Sequence, residues 1–331
     1  MNTKKSSILL LVSCSLLLLS CSKKFDTIDG FVEQQRTRKA GYLPVELGRQ
    51  PSIVIMGDGY REVDFNSFRS AAKALENHLF DPDEGVSPFN KEPFCHYFNI
   101  FTIFLNSEEQ GIGFEKAKNT ALRCYFYNQT DIIFDDVNSF GGRKAPNPFD
   151  VAKQYVPEID LNNTVIVILV NDSRTGFTTG SKDEAPYGQW ISIITVPSEP
   201  NEFKRLVLRE VGGKAFARLA QEDDSFYDRT LFQNWYNQYG FFANIDFTED
   251  RTLVKWSHFL NYPSMYPQLG IYPAGSGAYR PDNNNVMLSN RALQYDAPSK
   301  EAIIKRIYQI HGEGWDYTND TFWYYFISNP I

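Results

Sequence analysis

The feature of the sequence with the clearest chemistry is Glu210, a carboxylate in an otherwise apolar helical stripe. Arg209 precedes it directly, and Lys214 follows it by four residues, which is the favoured order for an ion pair on a helix. If this group is closed off from solvent, the two cations neutralise a buried carboxylate and the cluster is structural. If it is open, the cations can bind a carboxylate or another anionic group. Both alternatives stay open at the level of sequence.

Two adjacent glycines, Gly212 and Gly213, lie in the middle of the same predicted helix, which covers about residues 201–221 after Pro200. Each glycine costs a helix roughly 1 kcal/mol relative to alanine. A helix seldom keeps such a pair unless another part of the chain packs closely against it. The pair therefore predicts a close approach of other elements next to Glu210.

The elements that must position this helix are predicted from hydrophobic patterns earlier in the chain. Thr164–Val170 is the clearest strand, because its uninterrupted apolar run indicates burial on both faces. Similar runs predict strands at residues 52–56, 98–105 and 191–196, and helical spacing predicts a helix at 64–79. Strands that alternate with helices indicate an α/β layered domain.

The second half of the chain is rich in Tyr, Trp, Asn and Pro, with short helices predicted near residues 252–260 and 299–310. Segments this aromatic and rich in loops often form the wall of a cleft. Irregular packing beneath long loops is an equally good interpretation.

Several short motifs occur in one order along the chain, and together they resemble a known family. In the helix, the matching positions are Glu210, Gly212, Gly213, Phe216, Leu219, Ala220 and Glu222. Outside it, they are residues 57–60, 88–89, 98–100, 170–174, 279–281, 286–287 and 297–303. The set covers roughly residues 50–311 and resembles the IgA-peptidase family of metzincin-like zinc metallopeptidases, which is common in gut Bacteroidales.

The resemblance implies a metzincin-like α/β/α sandwich with a central mixed sheet and a loop-rich, aromatic C-terminal half. It also implies zinc as the cofactor and Glu210 as the general base. Residues 286–287 would belong to the methionine turn that lies beneath the metal in the family.

The positions that hold zinc in the family carry other residues here. Arg209 stands at the first histidine, and the second histidine falls on Gly213 or Lys214. The aspartate ligand falls on Gln221. Zinc requires neutral imidazole, thiolate or carboxylate ligands, whereas arginine and lysine are cations and glycine has no side-chain donor. The sequence therefore predicts that the family's zinc site is absent, that no cofactor is bound, and that Glu210 is a vestigial general base.

Four histidines occur in the mature chain, and no two of them lie within a helical turn of one another. They are His78, His96, His258 and His311. His258 is the best candidate for a site residue, because its surroundings resemble the cleft side of the family. A packed histidine is the more common outcome for any one of them.

The first 21 residues are expected to be a lipoprotein signal peptide. Two lysines precede a short apolar run, and a small-residue cleavage site stands directly before Cys21, the expected site of lipidation. An apolar run this short does not span a bilayer. Residues 22–50 are polar and weakly patterned, which predicts a tether, and residues 51–331 form the peptidase-like domain. The expected location is the cell envelope, as an outer-membrane lipoprotein on its periplasmic or surface face.

The composition of the chain limits the classes of partner that it can be expected to bind. Removal of Lys4 and Lys5 with the signal takes the formal net charge from −7 to −9. A chain this acidic, without a basic block, argues against nucleic acid as a partner. Cys95 and Cys124 remain after processing, and in an exported protein they could form a disulfide, provided that their Cα atoms come close enough.

Three functions compete at this stage. The leading one is a non-catalytic, lipid-anchored protein that binds a peptide, protein or glycan in the old substrate cleft. Arg209, Lys214, His258, Tyr279 and Arg280 would then be binding residues, with Trp235, Tyr239, Tyr272 and Tyr279 as aromatic lining. The alternative is an active zinc metallopeptidase with a rearranged metal site that includes His258 and Glu210. The third is a purely structural partner in an envelope complex.

Overall fold

The computed structural model describes residues 30–36, 50–81, 87–91, 94–134, 145–181, 189–288 and 292–311. The expected signal peptide with Cys21 lies outside the described residues, as does most of the expected tether. Within the described part, no helix is both long enough and apolar enough to cross a membrane.

The described segments contain eleven strands and six α-helices. The strands are β1 (Gly30–Arg36), β2 (Ser52–Asp58), β3 (Asn99–Leu105), β4 (Gly113–Phe114), β5 (Cys124–Phe126), β6 (Ile132–Phe134), β7 (Thr164–Val170), β8 (Phe177–Ser181), β9 (Trp190–Thr195), β10 (Tyr272–Pro273) and β11 (Tyr279–Arg280). The helices are α1 (Phe65–Phe80), α2 (Pro148–Tyr155), α3 (Pro200–Leu206), α4 (Arg229–Tyr239), α5 (Ser257–Leu260) and α6 (Ala297–His311). A π-helical segment, Val207–Phe216, continues α3, and short 3-10 turns occupy Glu62–Asp64, Pro88–Asn90, Phe94–Tyr97, Leu161–Asn163 and Gly275–Gly277.

The centre of the fold is a mostly parallel sheet of five strands, in the order β3-β2-β7-β9-β8. The first four strands run parallel, and β8 pairs antiparallel with β9 at one edge. A sixth strand, β1, pairs antiparallel with β3 at the other edge. These pairings confirm the predicted α/β class with a mixed central sheet.

Side chains of the parallel strands alternate between two hydrophobic cores, because successive residues of a strand point to opposite faces. Ile53 and Ile55 of β2 pack into the core beneath α1, α3 and α6. Val54 and Met56 pack into the second core, which contains residues of α2, β5 and β6. Burial on both faces explains why the central strands are continuous apolar runs that sequence alone can identify.

Three of the predicted segments differ from the structure. The expected tether, residues 22–50, contains the edge strand β1, whose pairing with β3 depends on main-chain hydrogen bonds and leaves little hydrophobic signal. The helix predicted to reach residue 221 ends at Phe216, because Arg218 adopts a left-handed conformation with φ of 59°. The helix predicted at residues 252–260 is limited to the single turn of α5.

The glycine pair of the π-helical segment has the close-packing cause that the sequence predicts. A Cβ atom on Gly212 would overlap the hydroxyl of Tyr295 and lie 2.8 Å from the ring of Phe89. A Cβ atom on Gly213 would lie 2.5 Å from the sulfur of Met287. The helix therefore approaches two separate parts of the chain at distances that only glycine allows.

We expect Gly212→Ala to lower the free energy of unfolding by about 1–3 kcal/mol, because overpacking against Tyr295 and Phe89 exceeds the gain in helix propensity. Urea unfolding of both proteins measures the difference. Gly180→Ala in β8 is the matched control, since a Cβ atom there meets nothing within 4 Å. Equal stability of the Gly212 variant and the natural protein would contradict this packing argument.

Candidate functional site

The candidate site is built on the π-helical segment, which lies on the face of the sheet next to β8 and β9 and carries Glu210 among buried apolar residues. The Glu210 side chain is 0% exposed and that of Arg209 is 2% exposed. The Lys214 side chain is 20% exposed, so it is the member of the cluster that is most open to solvent. The arrangement is therefore largely closed, as the structural interpretation of the sequence requires.

Both cations pair with the carboxylate. Arg209 Nε donates to Glu210 Oε1 over 2.8 Å, and Lys214 Nζ lies 3.1 Å from Glu210 Oε2. The second contact is an ion pair at a distance typical of charged partners, which confirms the predicted pairing of residues 210 and 214. An unpaired carboxylate in this position would lose several kcal/mol of solvation, of order 3–5 kcal/mol in comparable buried pairs.

The balance of burial and charge sets the ionisation of Glu210. Burial alone would raise the pKa of this carboxyl, but the positive charges of Lys214 and Arg209 outweigh it and hold the pKa below its ordinary value. Glu210 is therefore ionised at neutral pH and compensated on both oxygens. A carboxylate in this state is a poor general base, because a base works best with a pKa near the working pH.

The positions at which the resemblance places zinc ligands meet around this cluster. Arg209 and Lys214 both lie over the ring of Phe177 in β8, with the guanidinium carbon 4.5 Å and the ammonium 5.7 Å from the ring centre. Lys214 Nζ also donates to Gln221 Oε1 over 3.4 Å. Gly213 faces the other way, toward Met287. Residues 209, 214 and 221 thus form one polar group, whereas residue 213 is a packing contact.

A network around Glu222 connects the end of the helix to the loop of Met287. The buried Glu222 carboxylate accepts hydrogen bonds from Asn244 Nδ2 at 2.9 Å and from Asn285 Nδ2 at 2.8 Å. Asn285 Oδ1 accepts from the Met287 backbone N–H at 2.8 Å, and the Glu222 N–H donates to the Met287 carbonyl at 3.0 Å. Asn244 also bonds both backbone groups of Ala220. Sequence reasoning missed both asparagines, since an isolated Asn in a loop carries no pattern.

A second buried acid lies close enough to Glu222 to interact with it. Burial, together with the charge of Asp296, raises the pKa of Glu222 well above its usual value. Burial raises the pKa of Asp296 to about 6, although its hydrogen bond from the Ser299 N–H opposes the shift. Two carboxyls that share a dry environment do not ionise together readily.

The remaining predicted site residues have partners elsewhere. His258 Nε2 lies 3.2 Å from Glu301 Oε1 in α6, and its ring packs on Phe259. Tyr279 donates to Glu249 at 3.1 Å, and Arg280 donates to the Pro273 carbonyl at 2.7 Å and to Asn283 at 2.9 Å. None of these contacts includes Glu210, so the structure does not bring His258, Tyr279 or Arg280 into the buried cluster.

A cavity of about 330 Å³ lies apart from Glu210, between α4 and α6. Of the four aromatic residues expected to line a cleft, it includes only Tyr239. Trp235 stacks on Phe242 instead, and Tyr272 donates to the Gln268 carbonyl. The lining residues are Ala217, Tyr236, Asn237, Tyr239, Gly240, Phe241, Ala243, Lys255, Pro298, Glu301, Ala302, Lys305, Arg306 and Gln309.

The donor set around Glu210 does not suit a divalent metal. Its two nearest charged neighbours are cations, which repel a metal ion and offer it no lone pair at neutral pH. In the segments that the structure describes, no three His, Cys, Asp or Glu side chains come together as a metal site would require.

Neither of the two remaining cysteines, Cys95 and Cys124, takes part in a disulfide. Cys95 packs against the core on the α1 side of the sheet, whereas Cys124 lies in the core on the opposite side. The disulfide left open by the sequence is therefore not formed.

Comparison with known proteins adds no family assignment: no family model matches the chain, and no curated protein matches it. The class of protein that the geometry defines is a mixed α/β protein with a mostly parallel five-stranded sheet and helices.

We expect Lys214→Gln to lower the free energy of unfolding at pH 7 by about 1–3 kcal/mol, because Glu210 keeps only Arg209 as a counter-ion. In the natural protein the lowered pKa of Glu210 stabilises the fold above the unfolded value near 4.5, and this contribution is lost as the pH falls through the folded pKa. The difference in the free energy of unfolding between the variant and the natural protein should therefore become smaller below about pH 4.5. Urea unfolding at pH 7 and pH 4 measures it.

Lys73→Gln is the matched control, because Lys73 Nζ also lies 3.1 Å from a carboxylate but is 55% exposed. We expect it to change stability by at most about 0.5 kcal/mol. Equal losses in the two variants would show that the Glu210 cluster contributes no more than a surface pair.

We expect Asp296→Asn to stabilise the protein more at pH 8 than at pH 5. The pKa values of Asp296 and Glu222 are raised in the folded state. The two acids therefore contribute stability to the fold at low pH, and this stability is lost as the pH rises through about 6. Asparagine can keep the bond from the Ser299 N–H without ionising. Unfolding midpoints across pH 5–8 test this. Asp250→Asn is the control, since Asp250 is fully exposed and its pKa is lowered, so its effect should not vary over this range.

Proposed function

We propose that this protein is a lipid-anchored, non-catalytic relative of the IgA-peptidase family that binds a peptide, protein or glycan. The observation that carries the proposal is the buried ion cluster of Arg209, Glu210 and Lys214. By the family resemblance, Arg209 stands at the first zinc histidine, Lys214 at one of the two alternatives for the second, and Glu210 at the general base. Two fixed positive charges there replace the charge of a divalent metal without its chemistry.

Packing beneath the helix supports the family part of the proposal. The resemblance expects a methionine turn under the metal, and Met287 lies directly against Gly213. Glu222, which matches the family pattern, joins the helix end to the same loop through Asn285. A metzincin-like fold explains why this loop is fastened so closely to a helix that no longer carries a ligand set.

Electrostatics support the non-catalytic part. A peptidase of this class uses a metal-bound water and a carboxylate that can accept its proton. The lowered pKa of Glu210 and its pairing on both oxygens make proton acceptance unfavourable. A rearranged zinc site that includes His258 is disfavoured because His258 pairs with Glu301 rather than Glu210.

Anchoring is proposed from the sequence of the export signal. A lipid on Cys21 would hold the domain at the outer membrane within the cell envelope, with the fold outside the bilayer. Binding of a partner would then take place at a membrane surface.

We expect the full chain, purified without a histidine tag and incubated with excess zinc, to keep far less than one equivalent after desalting. Elemental analysis of zinc per protein measures it. Near-stoichiometric zinc that is abolished in Glu210→Ala or His258→Ala would contradict the proposal and support an active peptidase with a rearranged site. Zinc that persists in both variants would place the metal elsewhere and leave the Glu210 cluster as a structural ion pair.

A further inference from the structure

The strand β1 fixes the point at which the proposed lipid anchor joins the domain. β1 pairs antiparallel with β3, and its first residue, Gly30, lies opposite Leu105 at the end of β3. A Cβ atom on Gly30 would lie 3.0 Å from the Leu105 side chain and 3.0 Å from the Tyr155 hydroxyl, so this point is packed against the domain. The chain that can separate the lipid on Cys21 from the domain is therefore residues 22–29.

Leu105 belongs to the carboxyl edge of the sheet, at which the four parallel strands end. Asp58 at the end of β2 lies opposite Val170 at the end of β7, and Thr195 at the end of β9 also lies opposite Val170. The edge at which these strands begin is the amino edge. The two edges lie about 20 Å apart, because each residue of a strand advances the chain by about 3.3 Å. The tether therefore enters the domain at one defined end of the sheet.

Two loops, which follow β2 and β3, form the surface beyond the carboxyl edge. The Gly59 N–H donates to Ser107 Oγ at 3.0 Å. Arg61 Nη2 donates to Gln110 Oε1 at 3.1 Å. Val63 lies in the next turn after Arg61, and its side chain is 79% exposed. Val63 is therefore a surface position at the carboxyl edge.

The length of the tether limits how far this edge can lie from the bilayer. From Cys21 to Gly30 the chain spans about 30 Å at full extension, and any folded structure in it would shorten that span. A compact domain of the size of residues 51–311 is roughly 45 Å across. With the amino edge on the bilayer, Gly30 would be raised by the length of the sheet and by the segments that precede its strands. That orientation uses nearly all of the reach, whereas the opposite orientation needs little of it.

The cavity between α4 and α6 lies near the amino edge. Trp190 is the first residue of β9, and the guanidinium carbon of Arg218 lies 4.1 Å from the centre of its ring. The same carbon lies 5.9 Å from the ring centre of Phe241, which lines the cavity. Near the end of α6, the Tyr308 ring lies 5.9 Å from that of Phe94, in the turn that leads to the start of β3. Both walls of the cavity thus contact segments at which parallel strands begin.

We propose that the carboxyl edge of the sheet is the membrane-facing surface of the domain, and that the α4–α6 cavity lies on the side away from the bilayer. The inference rests on the lipid anchor of the proposed function and goes beyond it by giving the domain an orientation. It depends on chain length and not on charge, because the exposed side chains of the two loops include Glu62, Glu108 and Glu109, which anionic lipids do not attract. A partner in the surrounding compartment can then reach the cavity without passing between the domain and the bilayer.

The test compares two positions of the full, lipidated chain in vesicles of phosphatidylcholine. Val63→Cys at the carboxyl edge and Asn162→Cys, in the exposed turn directly before β7 at the amino edge, each carry a thiol-reactive donor dye. An acceptor dye on a minor lipid reports energy transfer to the bilayer. We expect transfer from position 63 to be at least about 2-fold that from position 162, because the two edges lie about 20 Å apart. The natural protein, treated with the same dye, measures the contribution of Cys95 and Cys124.

A longer tether is the matched control. Insertion of about 20 Gly and Ser residues between Lys24 and Phe25 raises the extended reach to about 100 Å, which exceeds the size of the domain. We expect the ratio of transfer from the two positions to fall close to 1 in this variant. Cys21→Ala, which removes the site of the lipid, should leave the protein behind when the vesicles are floated.

Equal transfer from the two positions, or stronger transfer from position 162, in protein that floats with the vesicles would overturn this orientation while leaving the anchor. A ratio that persists with the long tether would contradict chain length as its cause. Natural protein that does not float would overturn the anchor and the orientation together. The zinc measurement is independent of these results, so the non-catalytic part of the proposed function is tested separately.

Discussion

The constraint on which the site depends is the burial of Glu210. A carboxylate that is fully excluded from water must be compensated, and two cations of the same helix do this from opposite oxygens. Phe177 of the edge strand β8 then lies beneath both cations, so the sheet supports the cluster through its aromatic face. Arg209 is buried in the process and cannot act on a ligand. Only Lys214 remains partly open, and it is already engaged with Glu210 and Gln221.

The geometry of the helix depends on the residues that pack against it next to the Glu210 cluster. Close approach of Tyr295 and Met287 is possible only because residues 212 and 213 lack side chains. Here the backbone takes a π-helical form, in which the Ala217 N–H bonds the Gly212 carbonyl five residues back. The helix then ends at the left-handed Arg218, and Asn244 and Glu222 fasten the chain that follows. Such π-helical segments occur often at functional positions, which is consistent with a helix that was shaped around a site.

The sequence predicts those elements whose burial or helical spacing leaves a visible pattern of residue types. The β2, β3, β7 and β9 strands are buried on both faces and read as apolar runs, and the Glu210–Lys214 pair follows from helical spacing. By contrast, β8 reads Phe-Thr-Thr-Gly-Ser and is half-buried, so it forms no continuous apolar run, and α4 has no buried residue. The roles of Asn244 and Asn285 and the α4–α6 cavity depend on contacts between distant segments. Neither spacing nor composition reports such contacts.

The distribution of charge around Glu210 leaves little for a ligand to gain there. The Glu210 carboxylate is already paired with both Arg209 and Lys214, so a ligand there would have to displace an existing ion pair and would gain little.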